Sequence, residues 1–340
     1  MKRHSKEILS LESLIIGYVS GKNENALLPP LTACAKSGEL IAVIGRNGIG
    51  KSTLLRTLTG LQPPLGGEIF YNARNIRDYS RMYLAQKVGY ISTEFVKVSN
   101  MRVYDLVALG RFPHTNWIGK IELNDHEIIL DALKKTSMEA FGRKFVSELS
   151  DGERQKSMIA RILAQDTDIM IMDEPTAFLD VAGKYDILHL MHLLSRNSDK
   201  TIIFSTHDLQ MAISQSDKIW LMLENKLIEG APEDLMMAGA FDHLFDSSSV
   251  LFNSDDGTFS FRSVARGAIY IEGEGNKRRW TEKAVNRAGF TVAKEKTFPY
   301  ITLPSESNLC WQLSGNTSLQ EFSSVYELIL YLSNESVRLI

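Results

Sequence analysis

The chain carries Gly45-Arg46-Asn47-Gly48-Ile49-Gly50-Lys51-Ser52 directly after an apolar run at residues 40–44. Every fixed position of the phosphate-binding pattern G-x-x-x-x-G-K-[ST] is matched, with a strand pattern before it and a helix pattern after it. The three glycines let the backbone curl so that successive N–H groups point at phosphate oxygens, and the positive N-terminus of the helix adds to this attraction. A plain glycine-rich turn is the alternative, but it leaves the flanking strand and helix unexplained. The stretch therefore predicts a nucleoside triphosphate site.

A second functional element follows the apolar strand pattern at residues 168–172, where the chain reads Asp173-Glu174-Pro175. A carboxylate at the end of a strand beside a phosphate loop is a ligand for Mg²⁺, together with the hydroxyl of Ser52. The next carboxylate, Glu174, is placed to polarise a water against the γ-phosphate, while Lys51 reaches the β- and γ-phosphates. An acidic pair by itself is usually a solvated turn. Its combination with a phosphate loop predicts a hydrolytic site.

Residues 149–155 read Leu-Ser-Asp-Gly-Glu-Arg-Gln and precede an amphipathic run at residues 156–164. Taken alone, this is a helix start, in which Ser150 or Asp151 caps free backbone N–H groups. The same helix N-terminus is also a potential anion site.

The stretch LSDGERQ resembles the signature sequence of ATP-binding cassette (ABC) ATPases, usually written LSGGQ, from which Asp151 and Glu153 depart. The resemblance extends over residues 8 to about 235. It implies an α/β fold with a P-loop ABC-type ATPase core, an antiparallel β-subdomain and a helical subdomain, and it implies ATP and Mg²⁺ as cofactors. In that family Ser150 and Gly152 contact the γ-phosphate.

The same resemblance assigns further residues. Asp180 lies in a stretch similar to the D-loop, His207 would contact the γ-phosphate, and Tyr18 sits where the family places an aromatic ring against adenine. A lone histidine at a strand end is more often structural, and a tyrosine closing a strand is more often part of the core. The predicted residues are, for catalysis, Lys51, Glu174 and His207; for the nucleotide, Tyr18, Gly45, Asn47, Gly48, Gly50, Lys51, Ser52, Thr53, Ser150, Gly152 and Asp180; and for the metal, Ser52, Thr93 and Asp173.

One position departs from the family. A glutamine that contacts Mg²⁺ or the attacking water normally follows the strand that here spans residues 87–91, but this chain reads Ser92-Thr93-Glu94. Thr93 falls on the expected position. Its shorter hydroxyl would serve only through a water or after a backbone shift.

Composition describes an ordinary globular protein of 340 residues, with 44% hydrophobic and 23% charged residues. The net charge of −3 gives no bias toward nucleic acid. No apolar run approaches the roughly 18 residues needed to cross a bilayer, and acidic residues interrupt any N-terminal signal segment. We therefore expect a chain that does not span the membrane and stays in the cytoplasm. The resemblance implies a peripheral position on the cytoplasmic face of the inner membrane. Cys34 and Cys310 are expected to be inert thiols.

Two domains are expected: an ABC ATPase domain at residues 1–246 and a small accessory α+β domain at residues 258–340, separated by a linker at residues 250–257. In the small domain the pattern predicts strands at residues 258–261, 268–272, 291–296, 300–303 and 309–313, and helices at residues 277–288 and 318–332. Its predicted core members are Ile269, Ile271, Phe290, Val292, Ile301, Trp311, Leu328 and Leu332.

Residues 101–117, which contain Ala-Leu-Gly-Arg-Phe-Pro, are similar to ATPases that import iron chelates, haem or cobalamin. The leading hypothesis is therefore the ATP-hydrolysing subunit of an importer. The resemblance implies a homodimer bound to two transmembrane permease subunits, with an extracytoplasmic substrate-binding protein acting indirectly and no nucleic acid. A soluble ABC ATPase acting in assembly or on nucleic acid is the alternative, although such proteins often have two cassettes or basic insertions. A nucleotide-gated binding module without catalysis is a third hypothesis, which Glu174 and His207 disfavour.

Overall fold

The computed structural model describes residues 6–21, 23–93, 100–115, 120–245, 250–253, 258–261, 265–305, 309–315 and 318–334. Glu94, Asn116 and Trp117, which the sequence analysis used, lie outside these residues. The chain divides into two compact units, Met1–Ser248 with Phe252–Phe259, and Ser249–Leu251 with Ser260–Ile340. Within the described ranges, no helix has both the length and the apolar character that crossing a bilayer requires.

The strands from the N-terminus to residue 261 are β1 (Glu7–Ile15), β2 (Gly17–Ser20), β3 (Asn23–Ala26), β4 (Leu31–Lys36), β5 (Leu40–Gly45), β6 (Gly66–Tyr71), β7 (Arg74–Asn75), β8 (Val88–Ile91), β9 (Ile169–Met172), β10 (Thr201–Ser205), β11 (Lys218–Leu223), β12 (Lys226–Gly230), β13 (Val250–Asn253) and β14 (Thr258–Phe261). The helices are α1 (Lys51–Leu58), α2 (Arg81–Lys87), α3 (Val103–Ala108), α4 (Leu123–Lys135), α5 (Asp151–Ala164), α6 (Val181–Asn197), α7 (Leu209–Gln215) and α8 (Pro232–Met237). Short 3₁₀ turns cover Ile76–Asp78, Leu109–His114, Glu139–Phe141, Val146–Glu148 and Ala240–Leu244.

A six-stranded sheet of order β12-β11-β5-β10-β9-β8 forms the centre of the first unit. All its neighbouring strands are parallel except the pair β11–β12. Strands β5, β9 and β10 are almost entirely buried, as expected for parallel strands covered on both faces. Because parallel strands end at the same edge, the phosphate loop after β5, the acidic pair after β9 and the end of β10 come together there.

Two further parts complete this unit and confirm the predicted ABC-type ATPase architecture. An antiparallel sheet of order β4-β1-β6-β7 shares a buried apolar cluster with α1. Helices α3, α4 and α5 pack together as the helical subdomain. Val103, Leu106 and Val107 are buried there, but Leu109 is half exposed. The chain passes from α3 into a 3₁₀ turn at Leu109, and the change in residues per turn rotates this side chain off the buried face.

The second unit contains β15 (Ala268–Glu272), α9 (Gly275–Arg287), β16 (Thr291–Val292), β17 (Tyr300–Thr302), β18 (Trp311–Ser314), β19 (Leu319–Phe322) and α10 (Val325–Asn334). Its sheet has the order β16-β15-β17-β18-β19. The predicted core is confirmed, with Val292 and Trp311 packed at its margin. The helix predicted over residues 318–332 is wrong in its first part, because residues 319–322 pair with β18. Ser324 then accepts a hydrogen bond from the N–H of Glu327, so the helix begins only after it.

The linker predicted at residues 250–257 begins instead with a strand, since β13 pairs with β14. Phe252 on β13 packs with its ring 6.0 Å from each of the rings of Phe241 and Phe245. This aromatic contact was not evident from the sequence, where the surrounding serines and aspartates predict a loop.

Candidate functional site

The phosphate loop connects β5 to α1, which begins at Lys51. Gly48 and Gly50 have φ values of 81° and 109°, a region that side-chain-bearing residues rarely adopt. A Cβ at Gly45 would lie 2.8 Å from the carbonyl oxygen of Met222, so the loop also needs a glycine for close packing against β11. Glycine is therefore required at all three predicted positions, at Gly48 and Gly50 by the positive φ and at Gly45 by the close contact with β11.

Lys51 folds back over its own loop. Its ammonium donates to the carbonyl oxygens of Gly45 at 2.8 Å and Arg46 at 3.3 Å, and the side chain is almost completely buried. Burial lowers the pKa of Lys51, while the nearby carboxylates of Glu174 and Asp173 oppose this effect. Of the next two residues, Ser52 is exposed and Thr53 is buried in the first turn of α1. The loop thus presents a cation and an accessible hydroxyl beside two carboxylates.

Tyr18 lies on β2 of the hairpin β2–β3, and 50% of it is exposed. This exposure is not that of a core residue. Its phenol oxygen lies 2.6 Å from Oγ1 of Thr53, so the hydroxyl is held at the start of α1 and the ring stands beside the phosphate loop. Contact with adenine remains a prediction, since the structure describes only the protein.

The acidic pair meets β10 at the edge of the sheet. Asp173 is buried and its Oδ1 accepts a hydrogen bond of 2.7 Å from the hydroxyl of Ser205. The N–H of Glu174 donates to the same hydroxyl oxygen at 2.8 Å. The Glu174 carboxylate lies 3.5 Å from Nδ1 of His207, which is 59% exposed. The structure therefore brings together three predicted residues, and it adds Ser205, which sequence analysis did not single out.

Thr93 lies just after β8, where its hydroxyl donates to the carbonyl oxygen of Asp173 at 3.1 Å. The Thr93 side chain therefore contacts the peptide that joins Asp173 to Glu174. Ser52, Thr93 and Asp173 offer only oxygen donors, and these are the ligands that Mg²⁺ prefers in combination with phosphate oxygens and water. The donor set fits Mg²⁺, whose binding remains a prediction.

The predicted signature segment forms the start of α5 as a capping box. Ser150 accepts from the N–H of Glu153 at 3.3 Å, and the N–H of Ser150 donates to the Glu153 carboxylate at 2.8 Å. The backbone N–H and the hydroxyl of Ser150 both donate to the Glu153 carboxylate and lower its pKa. Asp151 forms an ion pair of 2.6 Å with Arg154. Both departures from LSGGQ therefore have a local role in starting the helix.

Gly152 lacks the positive φ of Gly48 and Gly50, and unlike at Gly45, a Cβ there would meet no atom of the described chain within 4 Å. Asp180 caps α6 by accepting from the N–H of Gly183 at 2.8 Å. The two segments face one open groove of about 420 Å³, whose described lining contains none of the phosphate-loop residues. Ser150, Gly152 and Asp180 thus line one groove. This groove is distinct from the edge of the sheet where Lys51 and the phosphate loop lie.

The Ala-Leu-Gly-Arg-Phe-Pro motif has a structural explanation within the described chain. A Cβ at Gly110 would lie 2.0 Å from the carbonyl oxygen of Arg161, so only glycine permits this approach to α5. The buried guanidinium of Arg111 pairs with Asp125 at 2.8 Å and also donates to the carbonyl of Ala164. Phe112, by contrast, is 63% exposed. The motif therefore stabilises the packing of the helical subdomain and leaves the ring of Phe112 at the surface.

Comparison with known proteins gives two family matches. Residues 28–177 match the ABC transporter family, and residues 266–333 match the iron ABC transporter C-terminal domain. Among curated relatives, an uncharacterised ABC transporter ATP-binding protein of Methanocaldococcus jannaschii is 34% identical over 257 residues, covering 75% of this chain and 87% of the relative. The ferric enterobactin transport ATP-binding protein FepC of Escherichia coli is 32% identical over 235 residues, covering 69% and 85%.

A probable siderophore transport system ATP-binding protein, YusV of Bacillus subtilis, is 33% identical over 238 residues, covering 70% of this chain and 85% of the relative. Among solved structures, CbiO1 of Clostridium perfringens, part of the ABC transporter complex CbiONQ, has a TM-score of 0.61 and 29% identity over 68% of this chain and 92% of that one.

Proposed function

The chain belongs to the ABC transporter ATP-binding proteins, and on this premise we propose that it is the ATP-hydrolysing subunit of an importer for an iron chelate. The observation that carries the proposal is the meeting of Lys51, Asp173 and Glu174 at one edge of the sheet, next to a complete phosphate loop. The iron cargo draws support from the relatives whose names refer to ferric enterobactin and siderophores, and from the match of residues 266–333. The names of the relatives described above refer to neither haem nor cobalamin, the other predicted cargoes.

Within the nucleotide site, we assign phosphate binding to the loop N–H groups and to Lys51, whose burial strengthens its attraction for an anion. Ser52 and Asp173 would hold Mg²⁺, which neutralises the phosphate charge when it is bound. We leave Thr93, the third residue predicted for the metal, out of this set, because its hydroxyl bonds the Asp173 carbonyl. Glu174 orients and deprotonates the attacking water, and His207, at 3.5 Å from its carboxylate, contacts the γ-phosphate. Tyr18 stacks on the adenine.

The groove lined by Ser150, Gly152 and Asp180 supports a second copy of the chain as the partner. No atom of the described chain crowds Gly152, so its own fold does not explain the glycine there. A phosphate approaching the start of α5 would explain it, because backbone N–H groups at a helix start bind anions at close range. We propose that two copies close over ATP, each completing the site of the other.

The exposed ring of Phe112, with the half-exposed Leu109 beside it, supports contact with a membrane subunit. Large apolar side chains at a surface indicate an interaction site when they stand on a rigid base, and here the base is the buried ion pair of Arg111 and Asp125. We propose that each of the two copies binds one permease subunit through this surface, on the cytoplasmic side of the membrane. The extracytoplasmic substrate-binding protein then acts only through the permeases.

Reconstituted transport tests this function. Vesicles that contain the chain and its permease partner should accumulate a ferric siderophore only when ATP is supplied on the side of the chain. A Lys51→Ala variant, which cannot hold the nucleotide, provides the matched control. Transport of an amino acid or a sugar, without any ferric chelate, would contradict the cargo assignment. Robust ATPase activity without a membrane partner and with nucleic acid stimulation would favour the soluble alternative.

A further inference from the structure

Glu174, the proposed general base, has a left-handed backbone with φ of 48°. A side-chain-bearing residue adopts this conformation only where its surroundings hold it there, and such positions cluster at active sites. Glu174 is the second residue after β9, and its backbone conformation determines where its carboxylate points. The groups that hold the preceding peptide therefore bear on catalysis.

Two hydroxyl groups hold the peptide that joins Asp173 to Glu174. The carbonyl of this peptide accepts from the hydroxyl of Thr93 at 3.1 Å, and its N–H donates to Ser205 at 2.8 Å. Ser205 comes from β10 and Thr93 follows β8, which are the two neighbours of β9 in the sheet. Both polar groups of the peptide are therefore hydrogen-bonded, the carbonyl on the β8 side and the N–H on the β10 side of β9.

Ser205 also ties the peptide to the carboxylate before it. Its single hydroxyl proton goes to Oδ1 of Asp173 at 2.7 Å, while its oxygen accepts from Glu174. The side chain is completely buried, so water does not substitute readily when the hydroxyl is removed. One hydroxyl therefore fixes the orientation of both acidic residues relative to each other.

We propose that Ser205 and Thr93 are positioning residues: they fix the Asp173–Glu174 peptide from which Glu174 turns in its left-handed conformation, and so direct the Glu174 carboxylate at the attacking water. Thr93 then acts on the backbone of the base, in place of the direct contact that a longer glutamine makes. The inference rests on the proposed role of Glu174. Thr93 separates chemistry from binding better than Ser205 does, because its hydroxyl bonds the carbonyl of this peptide, whereas Ser205 also bonds the Asp173 carboxylate.

The test uses the full chain with Thr93→Val, which removes the hydroxyl at constant volume, and Thr93→Ser, which keeps it. Ser205→Ala is the second deletion. Loss of these hydrogen bonds should lower kcat by roughly 10- to 100-fold, the scale of a small displacement of a catalytic group. Thr93→Val should leave KM and equilibrium ATP binding nearly unchanged. Thr93→Ser should restore kcat. Thr201→Val removes a buried hydroxyl elsewhere on β10 and should keep kcat within about twofold.

A second measurement distinguishes positioning from mere stability. In a Glu174→Gln background the Thr93 hydroxyl has no base to orient, so adding Thr93→Val should lower the residual rate no further. Additive losses, or unchanged kcat in both single variants, would overturn the proposal. If Ser205→Ala does not fold, the comparison of Thr93→Val with Thr93→Ser tests the proposal by itself. An active Glu174→Gln variant would instead refute the role of Glu174, which is a failure of the proposed function.

Discussion

The hydroxyl of Tyr18 lies 2.6 Å from Oγ1 of Thr53, so a half-exposed aromatic ring is held against the first turn of α1, the helix that follows the phosphate loop. The hydrogen bond joins the β2–β3 hairpin to α1 across 35 positions of sequence. It holds a flat apolar surface next to the place where the phosphates bind, as an adenine-stacking residue requires.

We expect Tyr18→Ala to weaken ATP binding by roughly 5- to 150-fold, since stacking of a base on an aromatic ring contributes about 1–3 kcal/mol. Tyr18→Phe keeps the ring and should bind within about threefold of the wild type. Titration with a fluorescent ATP analogue measures both. Equal losses in the two variants would mean that the hydroxyl, rather than the ring, carries the effect.

Glu174→Gln should keep ATP binding and lower the hydrolysis rate by roughly 10²- to 10⁴-fold, the range for a positioned general base. Lys51→Ala should instead weaken nucleotide binding itself, because it removes a buried cation from the loop. Turnover and equilibrium binding of the purified chain separate the two effects. Near-normal turnover of the Glu174→Gln variant would remove this residue from catalysis.

The limits of sequence analysis lie in contacts between distant residues. The phosphate loop, the central strands and the acidic pair follow from local patterns, and so do the apolar positions of the second unit. Ser205 does not, because its partner is 32 residues away and a serine that ends a strand has no distinctive pattern. The motif at Gly110 likewise indicated a type of cargo, whereas its glycine is required by a carbonyl on α5.

The buried pair of Arg111 and Asp125 predicts an acid-sensitive helical subdomain. The backbone N–H of Glu122 and the guanidinium of Arg111 hold the pKa of Asp125 below its ordinary value. As the pH falls below about 4, the unfolded chain takes up the proton first, so the free energy of unfolding decreases until the folded pKa is passed. Asp125→Asn should remove this part of the pH dependence.

At pH 7, Arg111→Met should destabilise the first unit by about 3–5 kcal/mol, because it leaves a buried carboxylate without its cation. Urea unfolding followed by loss of a fluorescent nucleotide reports on this unit alone. Asp131→Asn is the control, since the Asp131–Lys135 pair is about half exposed and should contribute less than about 1 kcal/mol. Similar effects of the two substitutions would contradict the structural role of Arg111.

The packing of Phe252 predicts where the ATPase unit ends. Its ring lies against Phe241 and Phe245 and contacts the main apolar core, so a fragment that ends at residue 245 loses this contact. We expect residues 1–261 to fold and hydrolyse ATP, because every residue proposed for nucleotide chemistry lies between Tyr18 and His207. The fragment 1–245 should unfold at lower urea concentration or aggregate.

The effect of this one ring can be isolated in the full chain. Phe252→Ala should lower the free energy of unfolding of the first unit by about 1–3 kcal/mol, less than the about 3–5 kcal/mol typical of a fully buried Phe. Phe298→Ala is the matched control, because its ring is 59% exposed in the second unit and should leave the first transition unchanged. Equal stability of the fragments 1–245 and 1–261 would place the end of the ATPase unit before Phe252.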